Sequence, residues 1–390
     1  MELKPGYKQT EVGVIPEDWE VSAVGREFQI ELGKMLDSAR NIGVLKPYLG
    51  NKSVQWDRIE INNLPMVAMS KSDMDRFRLR QGDLLVCEGG EVGRAAIWEA
   101  PIEECYYQKA LHRLRPLRKF NTRLMLALLR YWTDHDMLLN YVSQTSIAHL
   151  TREKLAEIPM PVPTPEEQST IAGALGDVDD LIRSLDCLIA KKRDIKQAAM
   201  QQLLTGKRRL PGFTEEWEVK SVGSVAPLQR GFDLPSSQLK RGSYPVVYSN
   251  GILNHHAKFQ VRGPGVVTGR SGTIGRVNFI EQDFWPHNTS LWVTDFKGNA
   301  PKYIYYLLES IGLERLGTGS GVPTLNRNDV HAFEVSIPPS TAEQRAIASV
   351  LSDMDAEVSA LEQRRDKTRA IKQGMMQELL TGKTRLVEAA

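Results

Sequence analysis

Cysteine is scarce in this sequence and never paired. Cys87, Cys105 and Cys187 are the three present, with no Cys-x-x-Cys motif, which excludes a disulfide framework and a cysteine-built zinc site. Long apolar runs are missing as well: stretches such as Leu124 to Leu129 fall far short of the roughly 20 residues needed to span a bilayer. Met1 to Thr10 holds no apolar h-region, so no signal peptide is expected. These absences together point to the cytoplasm. Neither sign of charge is in surplus, since 50 Lys and Arg against 48 Asp and Glu leave +2, so net charge gives no support for a polyanionic partner. What remains is the balance of a folded globular protein, 41% hydrophobic and 25% charged. A length of 390 residues leaves room for two or more cores.

An internal repeat dominates everything else. Glu167-Gln168 through Leu210 recurs as Glu343-Gln344 through Leu386 at a constant offset of 176, ending in Leu203-Leu204-Thr205-Gly206-Lys207 and Leu379-Leu380-Thr381-Gly382-Lys383. Fainter matches precede each copy. Trp19-Glu20-Val21 pairs with Trp217-Glu218-Val219 at offset 198, Gly90-Glu91-Val92-Gly93-Arg94 with Gly272-Thr273-Ile274-Gly275-Arg276 at 182, and Leu150 with Leu325 at 175. The plan is globular part, helix, globular part, helix. Within each globular part, Leu84 to Cys87 and Val266 to Thr268 read as short strands entering a glycine turn, with Ala95 to Trp98 and Val277 to Ile280 returning. A helix capped near Asn121, or near Asn299 with Pro301 in its first turn, follows.

The repeated helices carry a heptad seam. Thr164 is the expected N-cap, with Glu167 at capping-box spacing. Ile171, Leu175, Val178, Ile182, Leu185 and Ile189 alternate spacings of four and three, as do Ile347, Leu351, Met354, Val358 and Leu361. Gly206 and Gly382 look like C-terminal glycines. Glu166 to Asp186 contains six acids and one base, whereas Lys191 to Arg209 contains seven bases and one acid; the second helix repeats this division. Antiparallel pairing sets acidic halves against basic halves, whereas parallel pairing sets like against like. One antiparallel intramolecular coiled coil is therefore expected, relating the globular parts by a pseudo-two-fold axis. About 40 helical residues make a rod of roughly 60 Å.

Catalytic signatures are absent. Gly382-Lys383-Thr384 lacks the glycine a phosphate-binding loop needs, the residue there being Gln377. Gly317-Thr318-Gly319-Ser320-Gly321 has the wrong spacing for a dinucleotide turn, and His255-His256 lacks a third ligand at metal spacing. No G-x-S-x-G occurs, and the sole Pro-Pro, Pro338-Pro339, is followed by Ser340 and not by the aromatic residue of an adenine methyltransferase motif. No catalytic, cofactor-binding or metal-binding residue is expected. A binding signal remains, because phosphates attract cations and Arg can also read guanine edges. Candidates are Arg76, Arg78 and Arg80 at period two, Arg94 in the first glycine turn, and the run Lys109, Arg113 and Arg115, continuing to Arg123. The second copy offers Lys240, Arg241, Arg270 and Arg276.

The opening Tyr7 to Trp19, the Glu-Gln helix starts that follow a proline (Pro165-Glu166-Glu167-Gln168, and Glu343-Gln344 after Pro339) and the Leu-Leu-Thr-Gly-Lys exits together resemble the specificity subunits of type I restriction-modification systems. The resemblance covers the whole chain. It implies an α+β fold of two target-recognition domains, 1–162 and 211–338, separated by two helical repeats, 163–210 and 339–390. It also implies a non-catalytic, cytoplasmic subunit whose two recognition domains each read half of a bipartite, asymmetric double-stranded DNA site, with the helices as a ruler. Two modification subunits carrying S-adenosylmethionine are expected to dock on the helices, and ATP-driven restriction subunits on those. The rival reading is a coiled-coil scaffold with protein-binding heads.

Overall fold

The computed structural model describes residues 5–37, 41–144, 148–319 and 321–386. Contacts divide the chain into two compact units, residues 1–184 with 365–390, and residues 185–364. Each unit therefore takes one globular head and half of each long helix.

In the first unit the buried run Leu84–Cys87 has apolar side chains on both faces, as a central strand requires. Its head is built from β1 (Glu20–Ala23), β2 (Phe28–Leu32), β3 (Val44–Leu49), β4 (Met66–Met69), α1 (Lys71–Phe77), β5 (Leu84–Cys87), β6 (Ala95–Ile97), β7 (Tyr106–Tyr107), β8 (Leu111–Pro116), α2 (Thr122–Asp134), α3 (Arg152–Glu157) and β9 (Pro159–Val162). A four-stranded sheet runs β6-β5-β8-β2 and a three-stranded sheet β7-β3-β4, while β1 pairs with β9. Asn121 caps α2, its side chain accepting from the backbone N–H groups of Arg123 and Leu124. One apolar face of α2, with Leu124, Leu128 and Trp132, joins Ile171, Leu175, Met376 and Leu379 of the long helices in a single core.

The first long helix is α4 (Pro165–Leu203). In the second unit follow β10 (Glu218–Ser221), β11 (Leu228–Arg230), β12 (Tyr244–Tyr248), β13 (Gly251–His256), β14 (Gly265–Gly269), β15 (Val277–Ile280), β16 (Trp285–Pro286), β17 (Ser290–Val293), α5 (Pro301–Ile311), α6 (Arg327–Ala332), β18 (Glu334–Ile337) and α7 (Thr341–Leu379). The sheets repeat those of the first unit: β11-β17-β14-β15, β13-β12-β16, and β10 with β18. Ala300 occupies the N-cap of α5, with Pro301 behind it. Asn299, expected near that cap, turns its amide Nδ2 to the Val225 and Phe296 carbonyls instead.

Within each unit the helix halves run antiparallel. Asp179 meets Lys372 at 2.6 Å in the first unit. Lys192 meets Glu357 at 2.6 Å and Lys196 meets Asp355 at 2.7 Å in the second. Residue numbers rise along α4 as they fall along α7, and acidic segments face basic ones in both units. Ile171, Leu175, Leu185, Ile189, Ile347 and Leu351 are buried, and Val178, Ile182, Met354, Val358 and Leu361 are half-buried. Leu181, Leu188, Ile195 and Ile371 stand exposed.

The repeat's invariant letters anchor each head to the helix ends. Thr164 Oγ1 accepts from the Glu167 N–H at 3.3 Å, yet the Glu167 carboxylate does not turn back to close a capping box. It accepts instead from Trp19 Nε1 at 2.8 Å and from Arg385 at 2.7 and 2.8 Å. In the second unit Glu343 accepts from Trp217 Nε1 at 3.4 Å and from Arg209 at 2.6 and 2.8 Å. Each exit loop thus supplies the arginine that neutralises the buried glutamate at the other helix's start. The neighbouring glutamines ligate backbone. Gln168 accepts from Asn121 N–H and donates to Pro163 O, and Gln344 does the same with Ala300 and Pro338. Gly382, at φ +67°, leaves no room for a side chain, since a Cβ there would lie 2.4 Å from Pro16 Cδ.

Candidate nucleic-acid interface

Both heads build the same cluster of loops. Strand β5 runs into a turn with Gly90 at φ +78° and Gly93 at +83°, and β14 into one with Gly272 at +84° and Gly275 at +85°. The turn closes on itself where Cys87 N–H donates to Arg94 O at 2.8 Å and Gly269 N–H to Arg276 O at 3.3 Å. Behind it the arginine holds a neighbouring loop: Arg94 Nη2 donates to Asn51 O at 2.9 Å, and Arg276 Nη1 to Asn250 O at 3.0 Å. Leu150 and Leu325, matched in the sequence, both bring a further segment in, their N–H groups donating at 2.8 Å to Glu88 O and Arg270 O. Close backbone approach completes the cluster, because a Cβ on Gly33 would stand 2.3 Å from Gln108 O and one on Gly231 2.2 Å from His287 O. Backbone crossings of this kind hold loops rigidly while leaving their side chains to face outward.

The sequence-derived cations fall into three groups. In the first unit Lys109 and Arg80 are exposed, with no carboxylate at ion-pair distance among the described residues. Arg76, Arg78 and Arg80 alternate with buried Phe77 and Leu79, but around the end of α1 and not along a strand. Arg76 pairs with Glu31, its Nε at 2.7 Å, and Arg78 donates to Glu103 O at 3.3 Å. Arg94 is held by Glu91 at 3.2 Å as well as by Asn51.

Two candidates are corrected by the structure. Arg113 is 4% exposed, donates to Arg76 O at 3.0 Å and lies over the Tyr107 ring. Arg115 grips Asp83, itself 1% exposed, through two bonds of 2.7 Å, and that carboxylate raises the guanidinium's pKa. Both arginines sit on β8, a central strand, so their period-two spacing points them at buried partners and not at solvent. They serve the fold of the first head.

In the second unit the cations stay on the surface. Lys240 and Arg241 are exposed beside the edge strand β13, where Lys240 N–H donates to His256 Nδ1 at 3.0 Å and Ala257 N–H to Lys240 O at 2.9 Å. Arg241 shares a shallow groove with Leu253, Asn254 and His255. At the glycine turn Arg270 is half-exposed and Arg276 exposed, neither with a carboxylate partner among the described residues. His287, where the loops cross, has its pKa lowered by burial, which keeps the ring neutral as a hydrogen-bonding group.

The motifs without the right spacing have structural roles. Gly317–Thr318 pairs with Thr324–Leu325 as a small hairpin, with Ser320 outside the described residues. Among the described residues no three His, Cys, Asp or Glu side chains gather as metal ligands, and no helix is long and apolar enough to cross a membrane.

Comparison with known proteins agrees with this architecture. The model of the type I restriction modification DNA specificity domain matches residues 16–191 and again 214–370. A putative type I restriction enzyme MjaX specificity subunit of Methanocaldococcus jannaschii is 24% identical over 418 residues, covering 97% of each chain. The MjaVIII specificity subunit of the same organism is 22% identical over 95% of this chain and 94% of its own. Among solved structures, the type I restriction-modification S subunit from M. genitalium superposes with a TM-score of 0.64 at 16% identity, over 97% of this chain and 99% of that one. A chain from a study of complex assembly and conformational transition of the type I R-M system gives 0.61 at 16% identity, over 95% and 99%. Two matched domains, two heads of one topology and two repeated helices describe a single design, and the chain belongs to the type I restriction modification DNA specificity family, whose role is DNA sequence specificity.

Proposed function

We propose that each head reads one half of a split, non-palindromic DNA site, that the helices set the spacing of the halves, and that the chain performs no chemistry of its own. One observation carries this reading: the same sheets and the same glycine-turn cluster are presented twice, with different exposed side chains around them. Heads that share a scaffold but not contact residues suit two different half-sites. Two modification subunits would dock on the helices, where Leu181, Leu188, Ile195 and Ile371 leave apolar surface uncovered. S-adenosylmethionine would reside on those subunits and ATP on the restriction subunits, with no cofactor on this chain, and the assembly would work in the cytoplasm.

Sequencing of adenine methylation with and without the gene tests this directly. One split motif should lose its methylation on deletion. If no motif changes while the modification subunit is active, the scaffold reading with protein-binding heads replaces it. Inserting one heptad at matching levels of α4 and α7 adds about 10 Å of helix, so the spacer should lengthen by about three base pairs of 3.4 Å rise. An unchanged spacer in a folded variant removes the ruler role.

A further inference from the structure

The two heads differ at the edge of one equivalent sheet. In the first head, strand β3 pairs with the edge strand β4, Leu45 opposite Ala68 and Pro47 opposite Met66. Val67 and Met69 of β4 face the core, whereas Leu45 at 63% and Met66 at 53% exposure stand on the opposite face; Val44, paired with Met69 at the start of β3, is 58% exposed, and Ile42 before it 74%. Met35 and Leu36 are exposed as well. They leave the glycine-turn cluster at Lys34, whose N–H donates to Tyr107 O and whose carbonyl accepts from Lys109 N–H, both at 2.9 Å. Six large apolar side chains thus stand in water in this part of the first head. Each would gain from being covered, at about 25 cal/mol per Å² of apolar surface.

The same sheet of the second head is edged by polar and cationic side chains as well as apolar ones. Its edge strand β13 carries Asn254 and His255, with Lys240 bonded alongside, Arg241 lining the same groove and Lys258 just beyond, although Ile252 and Leu253 stand exposed at its start. A protein subunit contacting both heads alike would meet apolar surface at one and cations at the other. Duplex DNA with two different half-sites accommodates both, because the major groove presents the C5-methyl of thymine to apolar groups and phosphates and guanine edges to cations.

Resting on the DNA-reading role above, we propose that the apolar face formed by Leu45 and Met66 of the first head packs on thymine methyl groups of its half-site, while the corresponding edge of the second head engages its half-site through Lys240 and Arg241. The first half-site therefore contains at least one thymine whose methyl group is buried on binding, and the first head contributes less than the second to the salt dependence.

The test uses the full chain with its modification subunits on a duplex bearing the methylated site, each thymine in turn replaced by uracil, which lacks only the methyl. At one or more positions in one half-site, uracil should weaken binding by roughly fourfold per buried methyl. The Leu45→Ser/Met66→Ser variant should bind more weakly and become indifferent to those replacements. The Lys240→Ser/Arg241→Ser variant should keep the uracil response and show a shallower salt slope. The proposal is overturned if no uracil position matters, or if Leu45→Ser/Met66→Ser responds to uracil as the parent does. Loss of subunit assembly with an unchanged uracil response would assign the face to a protein partner. Failure of the parent complex to bind the site at all counts against the DNA-reading role itself.

Discussion

The first head is clamped harder to its helix ends than the second. Trp19 is wholly buried and donates at 2.8 Å to Glu167, and Arg385 spans both Glu167 and Asp18. Trp217 is half-buried, lies 3.4 Å from Glu343, and Arg209 has that one carboxylate. Asp18 has Glu216 as its counterpart at offset 198, and Glu216 is exposed with no ion pair among the described residues. Yet the buried glutamate, the tryptophan and the exit-loop arginine are present in both. A duplicated recognition protein keeps the polar nodes that mount its heads, whose burial makes each partner indispensable to the others, and lets the exposed edges diverge.

Substitutions at the nodes should break this comparison most severely. Glu167→Ala strands a buried indole N–H and a guanidinium, and should cost the first unit about 3–5 kcal/mol. Glu343→Ala should cost about 1–2 kcal/mol less, because one of its three bonds, from the half-buried Trp217, is long at 3.4 Å. Denaturant unfolding of each variant, with hydrogen exchange to report each head separately, checks the order, and equal losses would erase the asymmetry. Next comes Asp83→Ala, which leaves Arg115 unpaired on a central strand. It should destabilise the first head alone, by about 3 kcal/mol, because the second head has no such pair among its described residues.

Smaller effects belong to the helix surface. Lys372→Ala in the first unit and Lys192→Ala in the second each remove a partly exposed ion pair between α4 and α7, worth about 0.5–1 kcal/mol. Their losses should shrink together as salt rises.

The mildest distinction is in pH. Burial lowers the pKa of His112 in the first head, and of His287 and His331 in the second. His331 Nε2 accepts from Leu228 N–H at 2.7 Å, which requires the neutral ring. A histidine whose folded pKa lies below its unfolded value of 6.5 adds stability above that value and loses it as pH falls towards the folded pKa. Both heads should therefore lose protection between pH 7 and pH 5.5 by hydrogen exchange. His331→Gln should flatten the response of the second head alone, and an unchanged response there would contradict the assignment.

Much of this was legible from residue order. Offsets of 176 for the helices and 182 for the glycine turns located elements that the structure places in equivalent positions, because duplicated segments that must pack alike retain the letters that pack. Glycine turns were legible for the same reason, since φ near +80° at Gly90 and Gly272 is open to few other residues. The cations were harder to read. Arg113 and Lys109 look alike in a basic run, yet one lies in the core under Tyr107 and the other in water. Period two says that alternate side chains share a face, but not whether that face meets solvent or a partner as distant in sequence as Asp83. The Trp19, Glu167 and Arg385 node spans 366 positions, and its sole trace in the sequence is that each member recurs.

The sequence by itself determined the twofold plan, the helix boundaries and the opposed charge halves that make antiparallel pairing the favourable one. Those features are local or periodic, so propensity, spacing and Coulomb's law suffice to state them. Only the tertiary structure decided which arginines are free to meet a ligand, that each exit loop neutralises the other helix's glutamate, and that one head edges its sheet with apolar side chains where the other carries cations. Exposure and pairing are properties of what folds over a residue, and neighbours in the chain do not specify that.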